Sequence, residues 1–213
     1  MSFTRLHITV FLAVAAAVWG LLLWAEGNPP TWQHLAPFGT AVSILAILAL
    51  VLEKVAWHWK WLHWFVHRPD LRGTWRVEIQ SSWIDPNTNQ PLPVIEGCMA
   101  VTQSLSHLQM HQLTRESESW LVADRVVLSE KNTGYRIAAV YTNQPQLVLR
   151  GVRSEVHLGA FMLDTHGPTP SRPETITGEY WTDRKTTGTL VLRDRVSVVY
   201  SRFEDAAAAF RNR

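Results

Sequence analysis

The chain has 213 residues, 46% apolar and 18% charged, with a formal net charge of +2. That composition lies in the ordinary globular range and excludes a disordered, collagen-like or disulfide-stapled chain. The averages conceal two unlike parts: residues 1–69 hold four Lys/Arg, two Asp/Glu and seven of the eleven tryptophans, whereas residues 70–213 hold 16 residues of each sign and so lack the cationic surplus of a DNA- or RNA-binding surface.

Residues 6–25, LHITVFLAVAAAVWGLLLWA, contain no Asp, Glu, Lys or Arg. A helix of that length spans roughly 30 Å, the thickness of a hydrocarbon core. A secretory signal is the competing reading, since Arg5 precedes the run, but the run is too long for a signal and a second one follows. The second, from Pro37 to about Leu52, reads PFGTAVSILAILALVL. Its length also suits a buried helix; the short intervening loop and the terminal Lys54, whose stem can snorkel, favour a membrane hairpin. Small residues line one face of each run, Ala13, Ala16, Ala17 and Gly20 on the first and Gly39 and Ser43 on the second, and suit close packing within a hairpin or between copies. Arg5, Lys54, Lys60 and Arg68 flank the runs and the loop between them has no Lys or Arg, which places both termini in the cytoplasm. The lone Cys98 fits that compartment. Residues 57–68, WHWKWLHWFVHR, read as an interfacial aromatic collar; His58, His63 and His67 bring no carboxylate with which to make a metal site.

From Leu71 the pattern changes to period 2. GTWRVEIQ (73–80) sets Trp75, Val77 and Ile79 on one face, and seven further stretches over 96–103, 107–113, 119–129, 133–142, 155–163, 174–182 and 187–194 continue the alternation. LVLRG (147–151) is a further strand candidate. Turn chemistry separates them at Asp85-Pro86-Asn87, Lys131–Gly134, Thr142-Asn143-Gln144-Pro145 and Gly167-Pro168. About eight short antiparallel strands predict a closed barrel, with a sandwich as the alternative. The expected organisation is a two-helix transmembrane hairpin with its Trp-rich segment (1–69), an all-β domain forming a compact antiparallel barrel of about eight strands (70–203), and a frayed helical tail (204–213).

No nucleophile–base pair, zinc motif or phosphate loop stands at an informative spacing, so no catalytic residue, metal or cofactor is assigned. Cys98 sits in a strand and reads as a buried, inert thiol. His107 and His111 merely return to one strand face, and Asp164 with His166 has no recognisable serine partner. The richest polar cluster runs from Gly178 to Gly188. Arg184, Lys185 and the hydroxyls of Thr182, Thr186 and Thr187 suit phosphate oxygens, and Tyr180 can stack on a base. Tyr180 and Trp181 must point to opposite faces. The same residues also suit a decorated hairpin turn in which Asp183 pairs with Arg184. Trp75 reads first as core; Trp83, at a strand end, and Tyr141 and His157, on alternating faces, are further candidates for lining a cavity.

The two N-terminal hydrophobic runs, Leu71-Arg72-Gly73-Thr74-Trp75, Ser81, and Gly178-x-Tyr180-Trp181-Thr182-Asp183-Arg184-x-Thr186-x-Gly188 together resemble a bacterial antiphage effector family. It is the two-transmembrane, β-strand-rich effector of cyclic-oligonucleotide signalling systems (CBASS), and the likeness covers essentially the whole chain. The resemblance implies an eight-stranded barrel that binds a cyclic dinucleotide made by a partner synthase. It further implies self-assembly on ligand binding and disruption of the bacterial inner membrane, leading to cell death, without enzymatic activity. Trp75, Tyr180, Thr182, Arg184, Thr186 and Gly188 are the positions that match the motif. A membrane-anchored barrel for lipid or another apolar ligand is the alternative.

Overall fold

The computed structural model describes residues 5–25, 27, 32–64, 66–85, 88–129, 134–151 and 154–212; for 5–11, 14, 18, 22, 32–41, 63 and 64 it describes the backbone only. The chain divides into two compact units, Met1–Leu62 with Ser104–His107, and His63–Gln103 with Leu108–Arg213.

The first unit contains helices α1 (Arg5–Ala25) and α2 (Trp32–Lys54), followed by two 3-10 turns at Ala56–His58 and Lys60–Trp64. Helices therefore stand where both apolar runs lie. Among the described residues no helix is long and apolar enough to cross a membrane; much of the side-chain complement of both helices lies outside those residues. Near the end of α2, Glu53 is clasped by a serine pair: Ser104 and Ser106 hydroxyls donate to its Oε1 at 2.5 and 2.7 Å, and the Leu105 N–H donates to its backbone carbonyl at 3.0 Å. Trp57 is fully buried, while Trp59 and Trp61 are exposed, their ring centroids 5.8 Å apart.

The second unit is a closed antiparallel barrel. Its elements run β1 (Gly73–Ser81), a two-stranded ribbon of β2 (Ile84–Asp85) and β3 (Gln90–Pro91), β4 (Ile95–Gln103), β5 (Leu108–Leu113), β6 (Ser117–Leu128), β7 (Tyr135–Pro145), β8 (His157–His166), β9 (Thr175–Thr182) and β10 (Thr187–Val196), then helix α3 (Phe203–Arg211). Around the wall the order is β1-β10-β9-β8-β7-β6-β5-β4, and β4 returns to pair with β1. Eight strands close the sheet, which excludes the sandwich. A closed sheet has no free edge, and at this strand number the interior is just wide enough to be filled by side chains or to hold one ligand.

The inward positions follow the alternation. Val77, Val101, Met110, Ile137, Leu163, Ile176 and Leu192 form a continuous buried core with Trp75 and Leu71. Trp75 is fully buried, its indole N–H donates to the Leu71 carbonyl at 2.9 Å, and the Arg195 guanidinium lies over its ring at 5.1 Å. Arg195 also donates to the Asp70 carbonyl, and the Asp70 carboxylate takes two hydrogen bonds from the Arg72 guanidinium, at 2.9 and 3.1 Å. This cluster plugs one end of the barrel. Outside, Cys98, Leu113 and Val196 are covered by Ala206 and Phe210 of α3, over whose Phe210 ring Arg76 lies at 5.4 Å. Burial pushes the Cys98 thiol up to about 11.

Three expectations are corrected here. Residues 147–151 form a 3-10 turn, Leu147–Leu149, rather than a strand. Thr142–Pro145 is not a turn: β7 continues through it, paired with Ser117–Trp120 of β6. Proline can end a strand, where no ladder N–H is required of it. The tail is not frayed, because Ala206 and Phe210 bury one face of α3, and Glu204 and Asp205 in its first turn complement the helix dipole.

Burial alone would raise the Asp70 carboxyl, but the Arg72 guanidinium overrides it and holds the group below the usual carboxylate value. Its contribution to stability is therefore present above the ordinary carboxylate pKa and is lost as pH falls through the depressed one. Asp70→Asn is expected to melt at lower temperature than wild type at pH 7, with the difference narrowing in melts run at pH 4 and then pH 3. An unchanged difference across that range would remove the ion pair from the stability of the plugged end.

Candidate functional site

Opposite the plugged end, the interior opens into a cavity of about 580 Å³, within the roughly 300–1,000 Å³ of small-molecule sites. Strand register explains why it is hollow. In a closed barrel each chain of cross-strand partners carries a row of inward side chains round the wall, and three such rows bound this space.

The first row is Leu121–Tyr141–Gly159–Thr182. The second is Ala139–Phe161–Tyr180–Gly188–Ser81. In each, a tyrosine ring lies across the glycine of the next strand: a Cβ at Gly159 would overlap the Tyr141 ring, and one at Gly188 would overlap the Tyr180 ring and the Gln80 carbonyl. The glycines thus let the rings lie along the wall instead of filling the lumen. Phe161 stacks on Tyr141 with centroids 6.0 Å apart and planes 25° from parallel, so the hollow has an aromatic floor. Burial, with Tyr180 and Asp183 nearby, pushes the Tyr141 hydroxyl above the ordinary phenol range, leaving it a neutral donor.

The third row is Met99–Gln112–Ser119–Asn143–His157, polar over four of its five members. Asn143 is buried, and its Nδ2 donates to Ser119 Oγ at 2.8 Å and Ser117 Oγ at 3.1 Å. The His157 Nδ1 lies 2.9 Å from the Glu155 carbonyl oxygen.

The rim is built by the β9–β10 turn. Lys185, at φ 61°, takes the left-handed conformation that closes the turn, the Thr182 and Thr186 hydroxyls lie 2.6 Å apart, and the Thr182 N–H donates to the Thr186 carbonyl. Asp183 does not pair with Arg184. Its carboxylate accepts from the Leu158 N–H at 3.1 Å and its own N–H donates to the Leu158 carbonyl, which pins the turn to β8. Arg184 reaches Ser154 Oγ at 2.9 Å instead. Arg184 and Arg115 both line the cavity and both are exposed, with Glu96 and Glu116 supplying carboxylates to the same wall.

Of the nine residues singled out from the sequence, Tyr180, Thr182, Arg184, Thr186, Trp83, Tyr141 and His157 line this cavity. Trp75 does not; it belongs to the plugged end. Thr187 faces outward, its N–H and hydroxyl both engaging Ser82 Oγ, at 3.0 and 3.1 Å. Trp181 points out of the barrel, as the alternation requires. Sequence reading missed Gln112, Ser119 and Asn143. Extending the inward series Tyr135, Ile137, Ala139 and Tyr141 by one step reaches Asn143, but the Asn-x-Pro turn signal masks it. Among the described residues no three His, Cys, Asp or Glu side chains come together as metal ligands.

Residues 66–194 match the family model described as Cap15, cyclic dinucleotide receptor domain. No curated protein matches the chain.

Gly159→Ala is expected to displace the Tyr141 ring at a cost of about 1–3 kcal/mol, measured by chemical denaturation. Gly178→Ala, whose Cβ would run into the Met162 carbonyl rather than a side chain, exceeds that cost. Equal costs at the two sites would mean that the wall moves as easily as the ring.

Proposed function

The chain belongs to the Cap15 cyclic dinucleotide receptor family, and on that premise we propose that the barrel cavity is the receptor site of a membrane-anchored antiphage effector. The observation that carries this reading is a single hollow with an aromatic floor and two guanidinium groups on its lining, Arg184 and Arg115. A cyclic dinucleotide has two phosphates for the cations and two bases with faces for the rings. Charge-assisted hydrogen bonds from guanidinium to phosphate are the stronger class, and base stacking on an aromatic adds about 1–3 kcal/mol per base. The hydroxyls of Thr182 and Thr186 complete a phosphate-facing rim.

The alternative, a lipid or other apolar ligand, is disfavoured by the polar row of Gln112, Ser119, Asn143 and His157. An apolar ligand would desolvate these groups without replacing their hydrogen bonds, which costs free energy for each one.

In this proposal the N-terminal helices anchor the effector in the bacterial inner membrane with both termini in the cytoplasm. Leu21, Trp24, Ile44, Leu48 and Leu50 are each more than half exposed, which suits a lipid environment. The trigger comes from a partner synthase, and the response is self-assembly followed by membrane disruption. The ligand drives assembly only by binding the assembled state more tightly than the separate one; equal affinity for both would shift nothing.

Calorimetry on the full chain in detergent against a panel of cyclic dinucleotides tests the trigger. Arg184→Ala is expected to weaken binding of every responsive member by about 10- to 100-fold. Liposomes carrying the wild-type chain are expected to release an entrapped dye on addition of that ligand, and liposomes carrying Arg184→Ala to retain it at the same concentration. Binding by no member would overturn the receptor reading, and binding without dye release would overturn the membrane-disruption step.

A further inference from the structure

The polar row of the cavity has a directional hydrogen-bonding character that the phosphate and stacking contacts do not use. Asn143 spends both amide hydrogens, one on Ser119 Oγ and one on Ser117 Oγ, so its side-chain carbonyl Oδ1 is held in place as an acceptor. Nothing among the described residues donates to it. Ser117 is itself held, 3.2 Å from the Thr114 hydroxyl, which fixes the amide's support.

His157 stands directly across from Asn143 in the β7–β8 pairing. A backbone carbonyl only accepts, so the 2.9 Å approach of Nδ1 to the Glu155 oxygen requires a proton on Nδ1. The neutral ring then carries its lone pair on Nε2. Two acceptors, Asn143 Oδ1 and His157 Nε2, are therefore carried side by side on inward-facing residues whose Cβ atoms are about 5 Å apart in a cross-strand pair. Both residues line the cavity.

Among the common bases, guanine presents two adjacent donors on its Watson–Crick edge, the ring N1–H and the exocyclic N2 amino group. Adenine and cytosine offer one donor beside an acceptor, and uracil one donor between two acceptors. An acceptor pair matches guanine and sets a lone pair against a lone pair for the others. A site built to receive a donor rejects an analogue lacking it, because its buried acceptor is then left unpaired.

Resting on the reading of this cavity as a cyclic dinucleotide site, we propose that Asn143 and His157 form a base-edge reader that selects a guanine-containing cyclic dinucleotide. Ser117 and Ser119 are the positioning residues: they set the direction of the Asn143 amide without touching the base themselves.

The test is calorimetry on the full chain in detergent with four probes: cyclic di-GMP, cyclic di-IMP, cyclic di-AMP and cyclic di-UMP. Cyclic di-GMP is expected to bind about tenfold or more tightly than cyclic di-AMP and cyclic di-UMP, the discrimination of a two-bond base-edge contact. Cyclic di-IMP, which lacks only the N2 amino groups, is expected to fall between them, and this comparison needs no variant to fold. Asn143→Leu is expected to bring the guanine-over-adenine ratio close to one, whereas Arg184→Ala weakens both ligands and leaves the ratio intact. Equal or tighter binding of the adenine or uracil probe by the wild-type chain, or an Asn143→Leu loss shared equally by all probes, overturns the reader. If wild type binds none of the four or any other cyclic dinucleotide, the receptor reading itself falls and the reader with it.

Discussion

The return of β4 to β1 is the constraint on which the receptor unit depends. It converts an eight-stranded meander into a closed wall, satisfies the edges that would otherwise template aggregation, and commits every second residue to one shared interior. Once the wall is closed, its radius is set by strand number and stagger, so side-chain size alone decides where the lumen is solid and where it is hollow. Trp75, Leu192 and Ile176 fill one end. Toward the other, glycines at 159 and 188 remove volume and let two tyrosine rings lie along the wall. The cavity is thus a consequence of register, and a one-residue slip in β8 or β9 would replace its floor with outward-facing residues such as Met162 and Trp181.

How far this could be read from the amino-acid sequence differs by element. The eight barrel strands follow from period-2 alternation, since each needed only its own local pattern to be recognised. The strand count and unbroken succession suit a barrel or a sandwich, and it is the pairing of β4 with β1 that decides for closure. The Gly178–Gly188 segment stood out in the sequence because its chemistry is contiguous: one strand, one turn and the next strand supply Tyr180, Thr182, Arg184 and Thr186 to the cavity lining. The polar row was not, because its members lie on four different strands and meet only through register. Asn143 was further hidden by turn propensity, which tertiary pairing with β6 overrides. Trp75 shows the converse. It matches the motif and is aromatic, yet it is sealed in the plug, where its indole N–H is already satisfied by Leu71.

The two kinds of recognition suited to this cavity differ in how they are supported. The cations of the lining, Arg184 and Arg115, are exposed, and the Arg184 guanidinium has one hydrogen bond, to Ser154 Oγ. The proposed reader residues lie on paired strands, with the Asn143 amide hydrogen-bonded to two serines. Long exposed side chains can follow variation in phosphate position, whereas discrimination between bases needs donors and acceptors held to within about half an ångström. On the proposed reading, that division would let affinity and selectivity be altered separately.

The sealed thiol of Cys98 has a consequence of its own. Peroxide and alkylating reagents attack the thiolate, and a thiol pushed up to about 11 is ionised to only on the order of one part in ten thousand at neutral pH. It is also screened by Phe210 and Ala206, so the chain's one cysteine is chemically silent while the fold is intact. The thiol is therefore closed to oxidation in the folded chain, which leaves exposed methionine such as Met162 as the sulfur open to it, and a cysteine introduced on the surface would be the sole reactive handle for a spectroscopic probe.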